Sequence, residues 1–266
     1  MQGIGNDFVM LDWVASSPPE VDLSLLSRQM NDRKFGVGGD GLIVTDQLSP
    51  ELYRMRMFNP DGSESEMCGN GLRCVARLLA DRHGLDGQVA VQTGAGTLTV
   101  VIQADKSVRV AMGKAMFTRG EIGMQGPAGE AYVERHLSRG YRGTAVSMGN
   151  PHLVIFVDDV ASVPLAEHGP EFEERPDFLH RTNVHFVQRI TEDHLRVRTW
   201  ERGAGATLAC GTGACACLAA AVETGRAARK STLELPGGKL TVEYGQDREV
   251  FMTGPAETVF EGTWQA

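Results

Sequence analysis

Two short stretches of this 266-residue chain carry residues able to move a proton: Cys68-Gly69-Asn70-Gly71 and Cys210-Gly211-Thr212-Gly213. Each sets a cysteine immediately before a glycine-rich step into an alanine- and leucine-rich helical run. A sulfur in that place meets the positive end of a helix dipole, which favours thiolate over thiol. Two such cysteines suggest one thiolate and one thiol working on a shared atom. That pair suits taking a proton from one face of a carbon and returning one to the other. If the carbon bears a carboxylate, the charge developing there needs donors. The backbone N–H groups of 69–71 and 211–213 supply them, and glycine allows close approach.

A Cys-Gly-x-Gly step on its own is more often a tight turn before a helix. Its recurrence at matched positions is what favours chemistry. A thiol protease would need one cysteine with a histidine base, and His152 could serve, but the second matched cysteine would then be unexplained. Zinc is disfavoured because the spacings Cys-x5-Cys and Cys-x4-Cys-x-Cys lack a Cys-x2-Cys knuckle. Five cysteines crowded at two helix starts read as free thiols rather than a disulfide framework. Cys74, Cys215 and Cys217 lie inside apolar helical runs and read as small buried hydrophobes.

The elements that must position these cysteines also repeat. The 142-residue shift that aligns Cys68 with Cys210 aligns Phe58 with Trp200 and Gly96 with Gly238. It also aligns Leu98-Thr99-Val100 with Leu240-Thr241-Val242, while Gly5-Asn6-Asp7-Phe8 meets Gly149-Asn150-Pro151-His152 at a shift of 144. Met112-Gly113 falls near Met252-Thr253-Gly254. A repeat this long is one domain used twice. Strand-like alternation recurs at 53–58, 96–102, 108–110, 195–200 and 239–244. Helices are expected over 23–32, over 71–83 closed by Gly84, and over 213–224 closed by Gly225. A weaker one spans 163–175, where Pro164 fits the first turn and Pro170 argues for an early stop. The first domain is expected over 1–117 and the second over 118–266, with 118–130 as linker and the final strands free to cross back.

A net charge of −8 without a Lys/Arg cluster argues against nucleic acid. No apolar run approaches the roughly 20 residues of a membrane span. The opening Met1-Gln2-Gly3-Ile4-Gly5-Asn6 does not read as a signal or transit segment, so a cytoplasmic protein is expected.

Several motifs in order resemble the diaminopimelate epimerase family over essentially the whole length. They are Gly3-Ile4-Gly5-Asn6-Asp7-Phe8, Phe58-Asn59-Pro60-Asp61-Gly62-Ser63, Cys68-Gly69-Asn70-Gly71-Leu72-Arg73-Cys74 and Met148-Gly149-Asn150-Pro151-His152. The series continues through Glu201-Arg202-Gly203-Ala204-Gly205, Ala209-Cys210-Gly211-Thr212-Gly213 and Leu235-Pro236-Gly237-Gly238. The resemblance implies cofactor- and metal-free epimerisation of L,L- to meso-diaminopimelate, with Cys68 and Cys210 as the two acid–base groups. It places Gly69, Asn70, Gly211 and Thr212 around the reacting α-carboxylate. Asn6, Asn59, Asn150, Asn183, Glu201 and Arg202 match substrate-binding positions. His152 and Glu201 match residues that tune the cysteines. The implied fold is α/β (α+β): two pseudo-symmetric domains, each a curled, mainly antiparallel sheet around a central helix, with the site in the cleft. The implied partner is the small-molecule substrate, with a homodimer as the candidate assembly. Two departures stand out. Gly41 lies where some relatives carry a glutamine, so no side-chain contact is expected there, and Ala206 replaces a common glutamate. Proline racemase and 4-hydroxyproline epimerase are the nearest alternatives, but Arg202 with the asparagines suits a second amino-acid end. A silent binding protein on this fold would leave the paired cysteines unexplained.

Overall fold

The computed structural model describes residues 1–16 and 19–264. The chain forms two compact units, residues 1–111 with 253–266, and residues 112–252.

The first unit begins with β1 (Gln2–Gly3) and β2 (Asn6–Asp12), joined by a turn in which Ile4 and Gly5 both take positive φ. Helix α1 (Leu23–Asn31), capped by the Asp22 carboxylate on the Leu25 N–H, crosses to β3 (Gly41–Ser49). β3 lies parallel to β2 and antiparallel to β4 (Leu52–Phe58). The short β5 (Glu64–Ser65) returns along β4, and α2 (Gly69–His83) follows, ended by Gly84 at φ 68. β6 (Gly87–Thr93), β7 (Gly96–Ile102) and β8 (Val108–Lys114) complete the run, β6 pairing parallel to β4 and the others forming hairpins.

The second unit opens with α3 (Arg119–Ile122) and β9 (Arg135–His136), then β10 (Arg142–Ser147) and β11 (Pro151–Phe156). Helix α4 (Leu165–Glu173) leads to β12 (Asn183–Thr191), β13 (His194–Glu201) and β14 (Gly205–Thr207). Then come α5 (Gly211–Glu223), β15 (Lys230–Leu235), β16 (Gly238–Tyr244) and β17 (Glu249–Gly254).

The duplication holds to the residue. Leu42 faces Phe58 as Val184 faces Trp200, and Met57 faces Ser65 as Thr199 faces Thr207. Even the bulge repeats: the register slips between Gln47 and Ser49 in one copy and between Arg189 and Thr191 in the other. Two-residue side-chain alternation makes such registers all-or-none, so a shared bulge keeps the same faces inward in both units.

Each unit buries one helix. α5 is apolar on every side, and Gly213 through Ala221 are all buried, as suits a helix enclosed by its sheet. α2 buries Asn70–Ala76, Leu78 and Leu79 and turns Arg77 and Asp81 outward as an ion pair. The helix also holds the returning C-terminal segment, since the buried Arg73 and the half-buried Arg77 donate to the carbonyls of Pro255 and Ala256. A cavity of about 430 Å³ runs along β2 and this returning segment, lined by Met10, Leu78 and Trp264 among others but not by Cys68.

Three sequence expectations change. The division falls at 111/112 rather than 117/118, and of the two courses left open for the final segment the chain takes the return to the first unit from Thr253. Residues 118–130 are no free linker. Ile122 and Met124 are buried in the second core with Phe172 and Phe178, and backbone bonds from Arg119 and Gly120 to Glu130 and Ala128 close the segment on itself. Helix α4 continues through Pro170 to Glu173. A proline there removes one helical hydrogen bond, and the burial of Phe172 in the core outweighs it.

Candidate functional site

Both marked cysteines are the N-cap residues of the central helices, extended at φ −141 (Cys68) and −128 (Cys210) before the chain turns helical. The small Gly-x-Gly step is required where the cysteine loop meets the sheet. A Cβ on Gly71 would come within 2.6 Å of Ile43 Cδ1, and one on Gly213 within 2.2 Å of His185 Cε1.

Cys68 is half-buried, and its Sγ accepts the Gly71 N–H at 3.4 Å. The thiol faces Asn6 Oδ1 at 3.9 Å, and the same oxygen accepts Asn70 Nδ2 at 3.1 Å. Asn6 is oriented from behind: its Nδ2 donates to Asp40 at 2.6 Å, and Arg33 ties Asp40 to Asp7. Asn59 Nδ2 donates to Ser63 Oγ, and its carbonyl accepts Ser27 Oγ.

Cys210 is buried, 5% exposed. Its Sγ lies 3.8 Å from Thr212 Oγ1, and Asn150 Nδ2 donates to that same oxygen at 3.4 Å. Glu201, itself accepting Thr207 Oγ1 at 2.5 Å, hydrogen-bonds the thiol. The helix dipole, which favours thiolate, is outweighed at this sulfur. Burial pushes the Cys210 thiol well above its ordinary value, the Glu201 charge adds to this, and the donors Gly213 N–H and Thr212 only partly oppose them. Cys210 stands as a thiol. Cys74, pushed up by burial to about 12, and Cys217, also raised, are core residues as expected.

His152 is completely buried, with Nε2 2.9 Å from Asn150 Oδ1 and Nδ1 2.9 Å from His185 Nε2. His185 Nδ1 in turn meets Thr199 Oγ1 at 2.9 Å. Burial holds both imidazoles neutral: His152 falls well below 6.5, and His185 falls to about 3. His152, His185 and Cys210 group their ligand atoms within 4.8 Å, a spacing a metal ion could use. The two ring nitrogens are already spent on each other, so a metal there would have to break a buried hydrogen bond.

Asn183 is 4% exposed, with both ends of its amide engaged: its Nδ2 donates to the Pro151 carbonyl and its Oδ1 accepts the Arg202 N–H. Arg202 is exposed, one guanidinium nitrogen donating to the His180 carbonyl, and among the described residues no carboxylate pairs with it. Glu173 braces the same turn, accepting from Gly203 N and Trp200 Nε1. Gly41 has no room for the longer side chain of some relatives, because even a Cβ would lie 3.0 Å from Met57 Cε and 3.1 Å from the Phe58 carbonyl. Ala206 lies opposite Trp200 on β14.

The sequence reading missed His185, Thr199, Thr207, Asp40 and Glu173. His185 carried a usable signal: it shares a strand face with Asn183, two residues earlier.

The fold places the chain in a structural class shared by solved proteins of distant sequence. It matches a hydroxyproline epimerase from Agrobacterium vitis at TM-score 0.64, with 17% identity over 95% of this chain and 87% of that one. It also matches a phenazine biosynthesis protein from Bacillus anthracis at TM-score 0.69, with 16% identity over 96% and 91%. Sequence narrows the class. The diaminopimelate epimerase family profile matches residues 1–118 and 144–259. The chain is 48% identical to the diaminopimelate epimerase of Synechococcus elongatus over 99% of its own length and 96% of the relative's. With that of Pelotomaculum thermopropionicum the identity is 45%, over 98% and 96%. The chain belongs to the diaminopimelate epimerase family.

Proposed function

We propose that Cys68 and Cys210 are the acid–base pair that inverts the α-carbon of diaminopimelate. As a member of its family the protein interconverts the L,L and meso forms of this amino acid, an isomerase reaction of lysine biosynthesis. The observation that carries the residue assignment is the duplicated N-cap cysteine, each under its own helix dipole and each beside an asparagine or threonine at the second helical position. One sulfur takes the Cα proton as thiolate while the other, held as thiol, delivers a proton to the opposite face. Cys210 fits the donor in the resting protein, because its S–H is hydrogen-bonded to the Glu201 carboxylate. The reverse direction exchanges the two roles.

The amides of residues 69–71 and 211–213 receive the charge that spreads onto the α-carboxylate. Asn6, Asn59, Asn70, Asn150 and Thr212 present neutral donors and acceptors to the two amino-acid ends. Arg202 has an unengaged guanidinium edge for the distal carboxylate, and Asn183 serves by holding the Arg202 backbone. His152 and Glu201 set the state of Cys210. No metal or organic cofactor is part of this reading, and it extends to a cytoplasmic homodimer.

The test is direct. Purified protein given L,L-diaminopimelate in D2O incorporates deuterium at Cα and approaches an epimeric mixture. Hydroxyproline turned over in its place would favour the other branch of the fold.

A further inference from the structure

The polar chain behind Cys210 has an apolar counterpart in the first unit. The strand registers pair Phe8 with Gly41 as His152 with Asn183, and Ile43 with Met57 as His185 with Thr199. The positions of Phe8, Ile43 and Met57 in one copy are therefore those of His152, His185 and Thr199 in the other. All six are buried. Two imidazoles and a hydroxyl replace apolar side chains of the core, which costs stability unless every partner is satisfied.

The partners set a direction. Asn150 Oδ1 can only accept, so His152 Nε2 carries the hydrogen. The ring is neutral, leaving His152 Nδ1 to accept, and His185 Nε2 must donate. His185 Nδ1 then accepts from the Thr199 hydroxyl. With Oδ1 held, Asn150 aims Nδ2 at Thr212 Oγ1, whose own hydrogen is left for Cys210 Sγ. The opposite polarity would put the hydrogen on Nδ1 of both rings, turn the Asn150 amide over, and point the Thr212 hydroxyl away from sulfur.

We propose that His185 and Thr199 are positioning residues: they fix the tautomer of His152 and the amide of Asn150, and so direct the Thr212 hydroxyl at the Cys210 sulfur. The consequence is a counterweight to Glu201. The carboxylate holds the Cys210 proton, while the Thr212 donor stabilises the thiolate once that proton has left for substrate. Cys68 has no such relay, its neighbour Asn6 being turned by Asp40 instead. The proposal rests on the reading of Cys210 as one of the two acid–base cysteines.

Two measurements on the full-length protein decide it. Nitrogen-15 NMR of labelled histidine should find the His152 and His185 rings in the Nε2–H neutral tautomer at neutral pH. An Nδ1–H tautomer or an imidazolium on either ring would overturn the proposal whether or not the protein epimerises diaminopimelate. In turnover, Thr199→Val should lower kcat about three- to tenfold, the span of one neutral hydrogen bond, while KM for diaminopimelate changes by less than about twofold. Thr199→Ser should restore it. A valine variant with unchanged kcat, or a serine variant as slow as valine, would leave the relay as packing alone. If the parent protein has no activity on diaminopimelate while both tautomers are as stated, the functional reading fails and the relay stands.

Discussion

Asn183 Oδ1 accepts the backbone N–H of Arg202 at 3.0 Å, from a side chain that is 4% exposed and whose Nδ2 is held by the Pro151 carbonyl. A buried amide thus anchors the turn that presents an exposed guanidinium. Asn183→Leu should leave two backbone groups unpaired and cost about 1–3 kcal/mol in stability, with KM rising as the turn loosens. Arg202→Lys should raise KM without the stability loss, since an ammonium cannot reproduce a planar two-point clamp. Urea unfolding together with steady-state kinetics separates the two. If the lysine variant kept its KM, Arg202 would not be a ligand.

Replacing either Cys68 or Cys210 by alanine should abolish epimerisation, because each direction needs one base and one acid. A single serine variant should keep one-sided chemistry, seen as Cα–deuterium exchange or elimination from a suitable analogue without racemisation. Ordinary turnover by Cys210→Ala would reduce the second motif to a structural cap.

The two glycines that let the helices approach the sheet should not respond equally to alanine. At Gly71 the added methyl meets the movable end of Ile43 at 2.6 Å, whereas at Gly213 it meets the rigid His185 ring at 2.2 Å. Gly213→Ala should cost the upper part of the roughly 1–3 kcal/mol range for overpacking, and Gly71→Ala the lower part. Thermal unfolding of both variants checks the order, and a reversed order would contradict the placement of His185.

Acid should destabilise the protein through its buried histidines. His185 is held down at about 3, and His152 well below the ordinary 6.5. Between those values the unfolded chain binds protons that the folded chain does not. Stability therefore rises with pH through that window and is lost as pH falls from about 6.5 towards 3. For His185 alone the loss at pH 4 is on the order of 3 kcal/mol. Urea unfolding at pH 7 and pH 4 should show a smaller loss in a His152→Leu/His185→Leu double variant than in the parent. Equal losses would mean the rings are solvated or charged in the folded state.

Much of this protein could be read along the chain, because the signals are local. A cysteine before Gly-x-Gly and an apolar run is a helix start wherever it falls, and α2 and α5 begin there. The recurrence of 68–100 at 210–242 identified the duplication, and the strand registers repeat it to the bulge. Cys68 and Cys210 stood out as candidates for the same reason, whereas the asparagines stood out only through the family resemblance.

The polar wiring was not. His185 and Thr199 lie opposite each other on β12 and β13, and His185 reaches His152 only because β11 runs parallel to β12. The residue types of that trio differ from Phe8, Ile43 and Met57, but nothing local says that its side chains meet one another. Which cysteine rests as the thiol was illegible on the same ground: a helix dipole belongs to its own turn of chain, but the burial and the Glu201 carboxylate that outweigh it at Cys210 come from the packed sheet. Glycines and Pro127 made 118–130 look like a linker until Ile122 and Met124 found a core whose members include the distant Phe172, Phe178 and Phe186. Sequence carries backbone preference and periodicity, which act over a few residues. Dielectric, proton position and hydrogen-bond direction depend on which distant strands become neighbours, and only the tertiary structure decides that.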